Sequence, residues 1–452
     1  MRQIGARWWL IAGLATGLTI GAPAQAQSDA PEKSGAQAES APARPELSPE
    51  QAQARAQVLD RLGLMVKAVR AQDPEGYLAN VSKRDPRFFA EQTYWSKDLK
   101  RTPPAEFDWQ PTDNDGFALE ADHATLTLRM AWRNEKSKDK LRELVYVARF
   151  DRTDGATPGW LFAGEHWQSL EVADPAGGGV IVMFDEGLEE LAKKTAEAFK
   201  KIRRHVEEGF ELTAPDSLGG RVQQIKLYGT MQHLLGMIEL SYEDNIAGWN
   251  EPNESIRLLA RGLGGSARNL ESVLAHEYGH VATFEMGPKA SDMPWWILEG
   301  TAELAAEKFS GSARRVNDRV GRWAQRTKDG AELGQGLVPW EKIADFRGEA
   351  RNFGGHVYTQ GHHMMMYLSE RFKRPARNKW LNLLADGAKL EDATREALGV
   401  EFAQLDQDWR ASIVLPQPEK NEPEKSEPEK KDAGKSDSGK SDSGKSDSGK
   451  GS

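Results

Sequence analysis

Two histidines one helical turn apart limit what this chain can become more than any other feature of its 452 residues. Leu274-Ala275-His276-Glu277-Tyr278-Gly279-His280 lies within an apolar run from Leu270 to Phe284 that reads as a helix. Positions i and i+4 of a helix differ by about 40° in azimuth and one turn of rise, so both imidazoles leave the same face. Two such nitrogens can hold one zinc ion, and the adjacent Glu277 can reach a water on that metal. Gly279 inside this helix costs about 1 kcal/mol against Ala and points to close packing there.

A loop with Gly287-Pro288 and Ser291-Asp292 ends the helix, and Asp292 with Pro294 can begin another. That second helix carries Glu299-Gly300-Thr301-Ala302-Glu303. Eighteen residues separate His280 from Glu299, enough for a turn that lays the second helix on the first. Glu299 is the expected third ligand, leaving the fourth position to water, as catalytic zinc sites do. Glu303 shares its face and can accept a hydrogen bond from the far nitrogen of His276, fixing that ring's tautomer. A glutamate on an amphipathic helix is usually solvated surface. These two sit beside Trp295, Trp296, Ile297, Leu298 and Leu304, where unpaired charge is costly and a divalent cation is the simplest partner.

This pattern resembles the gluzincin metallopeptidases, both the thermolysin-like and the aminopeptidase-N-like branches. The resemblance spans about residues 178–415 and implies an α+β zincin-like domain with a helical C-terminal part. It implies His276, His280 and Glu299 as ligands of one Zn2+ ion and Glu277 as general base. Val357-Tyr358-Thr359-Gln360-Gly361 is similar to the Tyr-x-Lys-Gly segment of the aminopeptidase-N-like branch, which implies an oxyanion-binding role for Tyr358. Ala397-Leu398-Gly399 and Trp409-Arg410 are similar to the helical end of related exported gluzincins. The chain departs from the family in lacking the Gly-Ala-Met-Glu-Asn element that binds a free substrate amine. Gly248-Trp249-Asn250-Glu251 stands in a comparable place but is not that motif, so aminopeptidase specificity does not transfer. His356, His362 and His363 cluster in sequence near Tyr358, and either assist the oxyanion or pack at the start of a Met-rich helix.

Composition narrows the alternatives. The chain has no cysteine, which excludes disulfides, thiol catalysis and Cys-based metal sites and leaves histidines and carboxylates as metal donors. A net charge of -9 argues against a nucleic-acid partner.

Residues 1–26 read as a secretory signal peptide. Arg2 and Arg7 precede the apolar stretch Trp8–Ile20, and Ala24-Gln25-Ala26 forms a small-x-small cleavage site. The apolar stretch is too short to span a bilayer comfortably, so we expect no transmembrane segment after cleavage and a periplasmic or secreted bacterial protein. Residues 27–47 read as a flexible linker. From 416 to 452 the chain is Pro-Glu-Lys and then Lys-Ser-Asp-Ser-Gly repeats, a disordered tail that reads as a solvated spacer, with cell-envelope contact as the other use.

Between linker and peptidase-like region, Ser48-Pro49-Glu50-Gln51 opens a helix with a buried face at Val58, Leu59, Leu62, Met65, Val66 and Val69. Alternating runs at Ala124–Trp132, Glu143–Phe150 and Gly159–Leu170 read as antiparallel strands. Tyr77-Leu78-Ala79-Asn80-Val81 and Gly159-Trp160 to His166-Trp167 give residues 48–172 a resemblance to the α+β cone fold of SnoaL-like proteins, which include enzymes, binders and scaffolds. His123 and His166 read as packed or surface residues. A boundary is expected at Ala176–Gly179, followed by strands at Val180–Phe184, Val222–Tyr228 and Ser255–Ala260, the last serving as the edge along which an extended substrate would lie.

The functional expectation is a zinc metallopeptidase acting on peptides or proteins. Two rivals are an idle cell-envelope scaffold with a zincin fold and a zinc hydrolase of a non-peptide amide or ester.

Overall fold

The computed structural model describes residues 46–135, 140–154, 159–174, 178–214, 217–263 and 267–415. The segments read as signal peptide and tail, and most of the linker, lie outside these residues. The described chain is mixed α and β with a helical C-terminal part.

Helix α1 (Pro49–Arg70) begins as its sequence dictates: the Gln51 amide donates to Ser48 Oγ at 3.2 Å and the Ser48 amide to Gln51 Oε1 at 3.0 Å. It buries Val58, Leu62, Met65 and Val69. Two helices absent from the sequence reading follow, α2 (Pro74–Leu78) and α3 (Pro86–Arg101). The buried face of α3 mixes Phe88, Trp95 and Leu99 with Glu91, Gln92, Ser96 and Asp98, which hides its amphipathic period. Strands β1 (Glu106–Pro111), β2 (Ala118–Leu119), β3 (His123–Arg133), β4 (Arg142–Arg152) and β5 (Trp160–Glu165) form an antiparallel sheet in the order β1-β3-β4-β5, with β2 on β3.

The run Gly159–Leu170 is two strands in two sheets. After β5 the chain turns at His166-Trp167 and enters β6 (Gln168–Ala173), which pairs antiparallel with β7 (Gly179–Phe184). The expected domain boundary therefore falls inside a hairpin of the second sheet, and Leu170 and Val172 belong to the second core.

After β7 come α4 (Glu189–Phe210), β8 (Val222–Tyr228), α5 (Met231–Ile238), β9 (Gly248–Trp249) and β10 (Ile256–Leu259). The second sheet runs β6-β7-β8-β10-β9, with β7, β8 and β10 parallel and both outer strands antiparallel. The Ser255–Ala260 run is thus an inner strand, and the edge is β9. β8 pairs with one side of β10 and β9 with the other, so β10 has no free edge to offer a ligand. Seven helices complete the fold: α6 (Ala267–Phe284), α7 (Trp295–Ser310), α8 (Ala313–Lys328), α9 (Gly354–Arg371), α10 (Lys373–Ala385), α11 (Leu390–Leu398) and α12 (Phe402–Ser412). Among the described residues no helix is long and apolar enough to cross a membrane.

Helix α5 belongs by sequence to the second half, yet Leu234, Leu235, Met237 and Ile238 join the hydrophobic core of the first. Polar contacts reinforce that seam. Lys226 Nζ on β8 lies 2.5 Å from Glu91 Oε2 on α3, both side chains buried, and Trp95 Nε1 donates to the Gly236 carbonyl at 3.0 Å. Asp98 accepts from the Ser241 amide at 2.9 Å and from its hydroxyl at 2.7 Å.

Removing one member of a buried ion pair leaves the other charge uncompensated, which costs about 3–5 kcal/mol. Glu91→Ala should therefore destabilise the whole chain by that amount in denaturant unfolding. A loss below about 1 kcal/mol would contradict the role given to this seam.

Candidate metal centre

Three helices build the site, and small residues set how closely they approach. A Cβ added at Gly279 of α6 would stand 2.8 Å from the Ala302 Cα of α7, and one at Gly361 of α9 would stand 2.3 Å from the Trp296 carbonyl oxygen. Gly279 thus permits the tight α6–α7 crossing that its cost in helix propensity implied. Pro294 precedes the first turn of α7, and Asp292 lies in a short 3-10 turn just before it.

The α6–α7 crossing brings His276, His280 and Glu299 together. Glu299 Oε2 lies 3.2 Å from His276 Nε2 and 3.4 Å from His280 Nε2, and one donor atom from each of the three residues lies within 4.8 Å of the others. Two ligands of a tetrahedral zinc at ~2.0–2.1 Å are themselves about 3.3 Å apart, so both glutamate–imidazole distances fit. Glu299 Oε1 accepts from Trp295 Nε1 at 2.7 Å, whereas Oε2 is buried with no hydrogen-bond donor. A buried carboxylate oxygen aimed at two imidazole nitrogens and lacking a donor is what a cation would satisfy.

The electrostatics agree. Burial works to raise the Glu299 carboxyl, and the imidazoles of His280 and His276 overcome it, leaving it well below the carboxylate range. Burial works to lower His276, but the adjacent Glu299 and Glu303 carboxylates hold it far above the usual imidazole value. The pocket therefore favours positive charge at this point, a demand that a bound dication also meets. Glu303 Oε1 lies 3.3 Å from His276 Nδ1, the position expected for the partner of that ring's far nitrogen.

Glu277 is buried beside the two histidines. Burial pushes its carboxyl up, His276 and His280 pull it down, and Glu299 raises it again, for a net rise. Gly248 of β9 passes so close that a Cβ there would lie 2.5 Å from Glu277 Oε1, so the edge strand runs directly past the carboxylate. Tyr358 on α9 stacks over His276 at 5.9 Å between ring centroids, and burial raises its hydroxyl well above the ordinary phenol value.

All of these but Glu303 line one cleft of about 620 Å³. Its other walls include residues that sequence reasoning missed: Tyr242, and Tyr94, Lys97 and Arg101 of α3. The last three recur at i, i+3 and i+7, one face of a helix, a pattern with no meaning until α3 itself is recognised. Arg101 and Arg347 share Glu239 Oε1, at 2.7 and 3.3 Å, so the first half of the chain is tied to the cleft rim.

The histidines near Tyr358 separate on inspection. His356 Nε2 lies 2.9 Å from the Gly336 carbonyl oxygen and the ring stacks on Trp323; burial pushes it down to about 4. His363 accepts from Trp409 Nε1 at 2.9 Å and is likewise pushed down to about 4 by burial. Both pack, and His362 lies behind His276; none of the three lines the cleft. His123 and His166 stack on each other at 6.3 Å, apart from this cluster.

No known family's sequence profile matches the chain, and no curated protein matches it. Among solved structures it is similar to an M1 zinc metallopeptidase from Deinococcus radiodurans, at 14% identity and a TM-score of 0.32 over 70% of this chain and 62% of that one. A variant of a Deinococcus radiodurans M1 zinc metallopeptidase bound to a Tyr-Ser-Ala substrate matches at 13% and 0.33, covering 70% and 63%. A two-domain M1 zinc metallopeptidase variant bound to L-tryptophan matches at 14% and 0.34, again over 70% and 63%. The chain thus spans less than two thirds of the length of these proteins. With so loose a superposition, the reading rests on the site's own geometry.

Purified protein should carry one zinc per chain by elemental analysis, and Glu299→Ala should lose it with the fold retained. Unchanged zinc content in that variant would remove Glu299 from the ligand set.

Proposed function

We propose that this chain is an exported zinc-dependent metallopeptidase of gluzincin type. One observation carries the reading: Glu299 Oε2, buried and without a donor, faces both His276 and His280 on the floor of a cleft that Glu277 also lines. His276, His280 and Glu299 would hold the zinc ion. Bound there, it supplies the Lewis acidity that polarises a scissile carbonyl and acidifies a water.

The remaining chemistry belongs to the chain's own side chains. Glu277 accepts the proton of the attacking water and passes it to the leaving amine; its raised proton affinity suits both halves of that task. Tyr358 is kept protonated by burial and donates to the developing oxyanion, an interaction strongest in the transition state. Glu303 orients the His276 ring. An extended peptide would add to the sheet along β9, whose Gly248 leaves room beside Glu277.

Helices α1–α3 and strands β1–β5, the part of residues 48–172 that lies outside the second sheet, act on this reading as a fixed wall of the cleft. The buried Glu91–Lys226 pair and the α3 residues in the lining support that role. Export to the periplasm or beyond is part of the same proposal, resting on Arg2, Arg7, Trp8–Ile20 and Ala24-Gln25-Ala26. Cell-envelope contact through residues 416–452 is a further use open to the tail.

A peptide library incubated with and without chelator tests the proposal. Glu277→Gln should keep its zinc and lose about 10²–10⁴-fold in turnover; cleavage at the wild-type rate would end the assignment. Tyr358→Phe should lower kcat by about 10²-fold with KM little changed. A rise in KM at constant kcat would instead make the tyrosine a substrate-binding residue.

A further inference from the structure

His362 plays no part in the mechanism above, yet it is the most completely buried histidine in the described chain, at 0% exposure. It stands on α9 one turn after Tyr358, so both leave the same face of that helix. Tyr358 covers one side of the His276 ring. From the next turn, His362 reaches the carboxylate that meets the far nitrogen of that ring.

The distances describe a chain of four side chains drawn from three helices. Glu303 stands between two imidazoles: Oε1 lies 3.3 Å from His276 Nδ1, and Oε2 faces His362 Nδ1 at 4.0 Å, beyond hydrogen-bond reach. On its other side, His362 Nε2 lies 2.9 Å from Glu307 Oε2. Glu303 and Glu307 are themselves one turn apart on α7, so the ring of α9 is inserted between two carboxylates on one helical face. His362 Nδ1 is buried and has no hydrogen-bond partner, which leaves Glu303 as the group it faces.

Chance packing explains this poorly. A histidine that only filled space would need neither of its nitrogens aimed at a carboxylate. His356 and His363 illustrate the contrast, since each uses one nitrogen on a neutral partner of the surrounding core.

We infer that His362 is a positioning residue for the metal centre: anchored by Glu307, it steers Glu303 onto His276 and so fixes the ring that holds the ion. The inference deepens the metal-centre reading and rests on it. Its consequence is that α9 secures the site twice, with Tyr358 on the cleft side of His276 and His362 behind it. Loss of His362 frees Glu303 to turn away, and the His276 imidazole loses both its orientation and part of its strength as a donor.

The test measures zinc itself, not peptide cleavage. Apo-protein, loaded protein and the variants His362→Ala, His362→Gln and Glu307→Gln are compared by competition against a chromophoric chelator, by the rate of zinc release, and by Tm with and without zinc. We expect His362→Ala to bind zinc on the order of 10-fold more weakly and to release it faster. Glu307→Gln should show a smaller loss of the same sign, and His362→Gln, whose amide can still meet both carboxylates, should recover part of it. The rise in Tm on adding zinc should shrink in His362→Ala. Equal lowering of Tm with and without zinc, at unchanged affinity and release rate, would show a purely structural residue and overturn the inference. Should His362→Ala fail to fold, the comparison of Glu307→Gln with His362→Gln decides, and wild-type zinc release in both would overturn it equally. A wild-type chain that takes up no zinc would end the metal-centre reading and this inference together, an outcome distinct from the others.

Discussion

A buried carboxylate oxygen that makes no hydrogen bond, set against two imidazole nitrogens in the interior, is the interaction on which this structure turns. Taking a charged oxygen out of water without a partner is costly, and the fold does so at Glu299 Oε2 while spending a good hydrogen bond from Trp295 on the other oxygen. Two helix crossings make that placement possible. Gly279 lets α6 meet α7 at Ala302, and Gly361 lets α9 lie on α7 at Trp296. A larger side chain at Gly279 would push apart α6 and α7, which carry the three donors, and one at Gly361 would push away α9, which carries Tyr358. Backbone contact, ligand spacing and the buried oxygen are one arrangement.

The site was legible because its spacing is local. His276 and His280 are fixed by one helical turn, and Glu303 follows Glu299 by the same rule, so only the lateral packing of α6 on α7 had to be supplied by the fold. Gly279, an unfavourable residue in a helix interior, marked where that packing is closest. Long-range pairings carried no such signal. β10 is apolar and short, as an edge or an inner strand can be, and the two-residue β9 that displaces it to the interior is too brief to show a period. The turn at His166-Trp167, which sends one continuous-looking run into two sheets, depends on a partner strand across the Gly-rich segment. Helix α3 escaped notice because its inward face carries Glu91, Gln92 and Asp98 beside its aromatics. Lys226 and Ser241 of the other half meet Glu91 and Asp98, and Tyr77 meets Gln92.

That last point changes the sense of the two halves. Their hydrophobic cores are separate clusters, yet α5 crosses from one to the other, held by Trp95, and the segment leading from it towards β9 is held by Asp98 and Arg101. The same segment delivers the edge strand that passes Glu277. The first half fixes the approach of the strand that borders the cleft, and it presents Tyr94, Lys97 and Arg101 to whatever lies there.

X-ray absorption at the zinc edge of the purified wild-type protein bears most directly on the central claim. The account predicts a four-coordinate centre with two imidazole nitrogens and one or more oxygens at about 2.0–2.2 Å. A spectrum with no zinc, or with a shell that lacks paired imidazoles, would contradict it.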